Sequence, residues 1–186
     1  MATPADKSCH IKFFANVDES SIKALMTNVD SHLAQGVRRF VLLISSAGGT
    51  IFHGLSAYNY LKGIPAEVIT HNFGSVDSIG VVIFCAGSRR YSVPHARFLL
   101  HGVATQFPAA TSLEEKQLEE RLKGLRIDTD NIAGVIAANC GKSEKEVHEA
   151  LLERTTLDPE QAMDWGLVHE IREQLVDLAG YFVSIQ

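Results

Sequence analysis

The sequence predicts an α/β protein built from βαβ units, and three observations carry that expectation. Residues 39–44 form a short, continuous apolar run bounded by turn signals, which suits a strand buried on both faces of a parallel sheet. Residues 51–61 follow with helical spacing of their apolar side chains and end near Gly63 and Pro65. Glu67-Val-Ile-Thr70 then reads as a second strand, which completes strand, helix and strand in that order. With 186 residues, the chain has the length of one domain, so a single unit over residues 1–186 is expected.

The remaining elements follow in order. Asp18 to Ser20 offer capping residues ahead of Ile22, Leu25, Met26, Val29 and Leu33, an i, i+3, i+4 stripe that stops at Gly36 and predicts an amphipathic helix. After the βαβ unit, Gly74-Ser-Val-Asp-Ser78 reads as a glycine-flanked turn leading into residues 79–86, an apolar run whose length fits a buried helix. Residues 97–101 form a short strand that ends in His101, followed by an irregular connection through Pro108. Residues 111–140 make the longest periodic stretch, rich in Glu, Lys and Leu, with Gly124 and Gly134 as weak points. A helix of that length is expected to project from the domain. Helices at 143–154 and 158–165, a strand around 167–171 and an apolar tail at 178–185 complete the chain, with no internal repeat or low-complexity linker.

Composition narrows the class of function. Hydrophobic residues make up 46% and charged residues 21%, ordinary for a globular core and too apolar for disorder. The formal charge of −5, without a Lys/Arg run, leaves no electrostatic footprint for a phosphate backbone, so nucleic acid is not an expected partner. Cys9, Cys85 and Cys140 are odd in number and lack CxxC spacing, which points to free thiols in a reducing compartment. The N-terminal stretch has no basic start followed by an apolar run, and no segment is long enough to span a bilayer; a cytoplasmic location without membrane contact is expected. Histidines outside the candidate site lack HxxxH or HExxH spacing, so neither a metal nor another cofactor is assigned.

Acyl transfer needs a nucleophile, a base in reach, a group that orients the base, and amide donors for the developing oxyanion. Ser78 stands at a turn entering a helix, where free N–H groups favour negative charge. His101 ends a strand, from which a side chain can project into a cleft. Gly48-Gly49 follows an apolar strand and allows close approach of backbone amides, because glycine has no Cβ. Each also has a plainer reading: Ser78 as a helix cap, His101 as a structural histidine, and the glycines as a strand-to-helix turn. Val76 occupies the first glycine position of GxSxG, which argues against an α/β-hydrolase.

Five stretches bear a family resemblance: Ser46-Ala-Gly-Gly49, Gly74-Ser-Val-Asp-Ser78-Ile-Gly80, Ala86-Gly87, Pro94-His-Ala-Arg-Phe-Leu-Leu-His101 and Ala162-Met-Asp-Trp-Gly-Leu-Val168. In this order they resemble the signature stretches of the Clp protease proteolytic subunit, over nearly the whole chain from about Ile11. The resemblance implies the ClpP/crotonase-like spiral of repeated βαβ units with a protruding handle helix, here about residues 102–141. It implies a serine-type endopeptidase in which Ser78 is the nucleophile, His101 the general base, and Gly49 and Ile79 supply oxyanion-hole amides. Handles in that family join two heptameric rings into a chamber, so a homo-oligomer acting on peptides or unfolded polypeptides is implied.

Three departures qualify that expectation. Gapless alignment from Gly141 to Gly166 puts Arg154 at the position of the family's triad aspartate, whose loss costs roughly 10⁴-fold in turnover in serine proteases. Glu153, Thr155 or Asp158 could replace it, and Asp158 is the expected orienter of His101. Asp77 replaces a small residue beside the nucleophile. The N-terminal region is short for the family's axial loops, which leaves docking to an ATP-driven AAA+ unfoldase open. Two alternatives therefore stand beside the peptidase: a catalytically impaired structural subunit of the same fold, and a crotonase-type acyl-CoA enzyme.

Overall fold

The computed structural model describes residues 8–104, 112–176 and 180–186. In chain order its elements are β1 (Ser8–Phe14), α1 (Glu19–Ala34), β2 (Arg39–Ser46), α2 (Ile51–Gly63), β3 (Glu67–Asp77), α3 (Ile79–Phe84), β4 (Arg89–Ser92), β5 (Arg97–Leu99), α4 (Glu115–Cys140), α5 (Glu144–Leu152), β6 (Thr156–Leu157), α6 (Pro159–Asp164), β7 (Glu170–Ile171) and β8 (Tyr181–Ile185). The strands form one sheet in the order β6-β5-β3-β2-β1-β8, with β4 on β3 and β7 on β4. Every pairing is parallel except that of β5 with β6. The α/β class expected from the sequence is what the chain adopts.

Local chemistry explains where the helices begin. Asp18 caps α1 by accepting from the Ser21 N–H at 2.9 Å while Ser21 Oγ accepts from the Asp18 N–H at 3.1 Å, a reciprocal box that satisfies two otherwise orphaned donors. Ile22, Leu25 and Val29 then face the core, as their spacing requires. Glu114 and Ser143 open α4 and α5 with the same device. Gly141 closes α4 in the left-handed conformation, φ 66°, that favours glycine.

The core lies between the central strands and the helices. Cys9, Ile11 and Phe13 of β1 and Phe40, Leu42 and Ile44 of β2 are buried, and so is every residue of α3. Gly54 lets α2 settle on α3, since a Cβ there would strike the Ile79 side chain. The long helix α4 is split by environment. Residues 115–124 are all exposed, whereas Ile132, Ala133, Ile136, Ala137 and Cys140 are buried, so its N-terminal half projects as expected.

Several boundaries differ from the sequence reading. Of the segment expected as a turn at 74–78, residues 74–77 are the end of β3, which changes partners along its length: Ile69 to Asn72 pair with β4, and Ser75 to Asp77 pair with β5. Gly74 sits at the change-over, where a Cβ would lie 2.9 Å from Ser45 Oγ. β4 was not expected, because it opens with two arginines. Arg90 is nonetheless buried, its guanidinium and Nε donating to the carbonyls of Leu167 (2.7 Å), Asn139 (2.6 Å), Gly166 (3.1 Å) and Gly87 (3.3 Å). The strand expected at 167–171 shrinks to Glu170–Ile171, since the amides of Leu167 and Val168 both turn back to the Ala162 carbonyl at the end of α6. The connection through Pro108, position 111 and the start of the tail at 178 lie outside the described residues.

Candidate active site

Ser78 occupies the single position between β3 and α3, with φ 57° and ψ −130°. Non-glycine residues populate that region rarely, and holding one there costs on the order of 1–3 kcal/mol, so the surroundings must enforce it. The Ser78 N–H donates to the Leu99 carbonyl at 2.8 Å, and its carbonyl accepts from the Val81 N–H at 3.0 Å. Gly48 lies against the side chain, where a Cβ would fall 2.7 Å from Ser78 Cβ and 3.2 Å from Oγ.

The glycine turn is braced from outside. Val17 donates to the Gly48 carbonyl and accepts from the Thr50 N–H, both at 2.8 Å. Gly49 has φ 151°, and a Cβ there would strike the Val17 carbonyl. Its own N–H meets no acceptor among the described residues. The same holds for Ile79, whose amide, as the first of a helix, has no partner within it. Both residues border, with Ser78 and His101, one cavity of about 110 Å³ whose wall is largely apolar, including Ile51, Ile132, Ile136 and Leu151.

His101 reaches this cavity from the chain just beyond β5, which is fixed by the Leu100 N–H donating to the Thr155 carbonyl at 2.9 Å. Nδ1 lies 2.8 Å from the Gly102 carbonyl. A carbonyl can only accept, so Nδ1 carries a proton and, in the neutral ring, Nε2 holds the lone pair. This is the tautomer a general base requires, imposed by a backbone group. No hydrogen bond joins His101 to Ser78 or to a carboxylate among the described residues.

None of the residues expected to orient His101 hydrogen-bonds to its ring. Asp158 is exposed and caps α6: Oδ1 accepts from the Gln161 N–H at 2.8 Å, and Gln161 Oε1 accepts from the Asp158 N–H at 3.0 Å. Arg154 is exposed with φ 56°, directly after the last turn of α5. Glu153 closes that turn, and Thr155 reaches the site only through its carbonyl on Leu100. Asp77 faces away from the cavity, as strand alternation dictates for the neighbour of Ser78. Its carboxylate accepts from Ser75 Oγ and Arg97 Nη2, each at 2.7 Å.

No cysteine borders the cavity that holds Ser78: all three are free and buried, and desolvation pushes Cys9 up to about 11. Among the described residues, no group of three or more His, Cys, Asp or Glu side chains is placed to hold a metal ion, and no helix is long and apolar enough to cross a membrane.

With this geometry in place, comparison with known proteins decides the family. The sequence model of the Clp protease family matches residues 6–175. The chain belongs to that family. Among curated Clp relatives, the ATP-dependent Clp protease proteolytic subunit 3 of Rhodococcus jostii is 27% identical over 144 residues, 76% of this chain and 69% of the relative. Proteolytic subunit 1 of Leifsonia xyli subsp. xyli is also 27% identical, over 167 residues, 89% of this chain and 81% of the relative. A solved ClpP1 mutant from Listeria monocytogenes shares the fold with a TM-score of 0.80 at 21% identity, covering 89% of this chain and 91% of that one.

The Clp signature stretches located Ser78, His101, Gly49 and Ile79, which the fold brings to one cavity. They could not locate the Gly102 carbonyl on Nδ1, because every residue has a carbonyl and only the fold selects one. The true role of Asp158 did have a signal. Asp158-Pro159-Glu160-Gln161 carries a cap residue, proline at the first helical position and glutamine two further on, which together read as a helix start.

Proposed function

We propose that this Clp family chain is a serine-type endopeptidase whose histidine is oriented by a backbone carbonyl instead of an aspartate. The observation that carries the reading is the 2.8 Å contact from His101 Nδ1 to the Gly102 carbonyl, because it leaves Nε2 as the only acceptor on the ring. Ser78 Oγ attacks the scissile carbonyl carbon, and His101 Nε2 takes its proton. The oxyanion that forms is met by the Gly49 and Ile79 amides, which donate to no other acceptor among the described residues. As the C–N bond breaks, His101 returns the proton to the leaving amine. Water then attacks the acyl-enzyme through the same base and frees the acid.

A carbonyl holds the tautomer but brings no full negative charge to the imidazolium, so turnover below that of an aspartate-bearing site follows. Peptides or unfolded segments are the substrates of this reading. One domain, heptameric rings paired through α4 as the handle, and a cytoplasmic location complete it, with the exposed N-terminal half of α4 and the family membership as support. Neither a metal nor a diffusible cofactor has a part in it, and an ATP-driven unfoldase partner is left open.

The second reading, a structural subunit without turnover, is favoured by one observation: no carboxylate reaches His101 among the described residues. Intact-protein mass spectrometry after incubation with a fluorophosphonate separates the two. A single adduct on the native chain that disappears in Ser78→Ala is the expected result. No adduct on a folded, assembled sample would establish the structural subunit instead.

A further inference from the structure

We infer that Asp77 and Arg97 form a positioning pair that ties the strand ending in the nucleophile to the strand leading to the base. This rests on the peptidase reading of Ser78. The pair bridges β3 and β5: Ser75 stands opposite Arg97 in the register and Asp77 opposite Leu99, so the bond from Arg97 Nη2 to Asp77 Oδ2 (2.7 Å) crosses the ladder diagonally. Ser75 Oγ braces the other carboxylate oxygen from the same strand at 2.7 Å. The Asp77 side chain is only 10% exposed, which gives the contact more weight than a fully solvated pair.

What the pair restrains is specific. Ser78 follows Asp77 directly and is held in a backbone conformation that must be imposed from outside. His101 lies four residues beyond Arg97, and its approach is set by the same β5 register, including the bond from the Ser78 N–H to the Leu99 carbonyl. A shear of β5 against β3 therefore changes the separation of nucleophile and base directly. Besides the three β5 ladder pairs and that amide bond, β5 is tied to β3 by this diagonal ion pair and by Asn72 Nδ2 donating to the Arg97 carbonyl at 2.8 Å, and of the two the ion pair stands next to Ser78 in the chain. Asp77 faces an open groove beside Phe14, Asn16, Ser45 and Ala47, and Ser78 faces the cavity on the other side, so Asp77 touches neither the base nor the reacting atoms. It acts through Ser78.

The test measures the rate of fluorophosphonate labelling of the assembled full-length chain, alongside its thermal midpoint. Asp77→Ala is expected to slow labelling of Ser78 ten- to a hundredfold. Asp77→Asn, which can turn its oxygen to Arg97 and its amide N–H to the Ser75 hydroxyl, retains most of the rate, and the exchanged pair Asp77→Arg with Arg97→Asp recovers at least part of the loss. The apparent pKa governing the pH–rate profile stays unchanged throughout, because the effect is one of position; a shifted profile would instead make Asp77 an electrostatic partner of His101 and overturn the inference. Wild-type rates in Asp77→Ala overturn it as well. If that variant does not fold, Arg97→Met decides, since it removes only the half-exposed guanidinium: undiminished labelling refutes the pair. A native chain that takes no label at all refutes the peptidase reading instead, and the two failures are thereby distinct.

Discussion

Gly48 and Ser78 are packed so closely that the first has no room for a side chain: a Cβ on Gly48 would lie 2.7 Å from that of the serine and 2.8 Å from the Asp77 carbonyl. Both obstacles are parts of the elbow itself, and Gly48 also holds φ 88°, which an alanine adopts at a cost. Gly48→Ala must therefore displace Ser78. A misplacement of about 1 Å costs on the order of 100-fold in a positioned reaction. Labelling of Ser78 by a fluorophosphonate should slow by at least that factor in a variant whose circular dichroism remains native. Undiminished labelling would mean that the elbow yields without consequence.

Strain at Ser78 makes an opposite prediction for stability. Its φ and ψ belong to a region that glycine occupies freely, so Ser78→Gly relieves roughly 1–3 kcal/mol in the folded state. Glycine's looser unfolded chain offsets about 0.5–1 kcal/mol of this. A net gain of about 1 kcal/mol in urea unfolding is expected, together with complete loss of fluorophosphonate labelling. A variant less stable than the native chain would show that Ser78 is not strained.

Arg90 is the keystone between β4, the end of α4 and the turn after α6. It is 4% exposed and satisfies four carbonyls, those of Gly87, Asn139, Gly166 and Leu167. Arg90→Met fills similar volume but strands these acceptors; the bonds to Leu167 and Gly87 are fully buried, and at about one to three kcal/mol per buried unsatisfied group those two set the scale. A loss of about 3 kcal/mol is expected by chemical denaturation. Arg90→Lys should recover little of it, because a single ammonium cannot reproduce the planar fork. Native stability in Arg90→Met would show that the carbonyls find other donors.

The same residue shows why part of the fold escaped the sequence. An apolar run such as residues 39–44 declares itself, and the capped stripe of α1 does too. β4 begins Arg-Arg, a surface signature, and is a strand only because carbonyls 49 to 77 residues away take the charge inside. Gly74 likewise looked like a turn because punctuation by glycine is the usual local meaning; here it marks a change of strand partner. At the site, motif spacing carried Ser78, His101, Gly49 and Ile79. The orienting contact on His101 was out of reach, since it is made by main chain and leaves no mark in residue identity.

His71 on β3 gives the protein a stability term that depends on pH. The ring is 1% exposed, stands edge-on to Tyr91 and donates through Nε2 to the Arg172 carbonyl at 3.3 Å. Burial, with the Arg172 charge adding to it, pushes the imidazole down to about 4, against the opposing influence of that carbonyl and of Glu170. Unfolded histidine titrates near 6.5, so between about 4 and 6.5 the unfolded chain binds the proton that the folded chain refuses. The contribution is complete above about 6.5, falls as pH drops through this window, and levels off below about 4 after a loss of up to about 3 kcal/mol. His169, also lowered by burial and by Arg90, adds to the slope in the same direction. Urea unfolding at a series of pH values from 4 to 7 should show a steeper fall for the native chain than for His71→Gln. The difference between the two curves isolates His71 from the carboxylates that titrate nearby. Parallel curves would mean that the ring takes up its proton without leaving the fold.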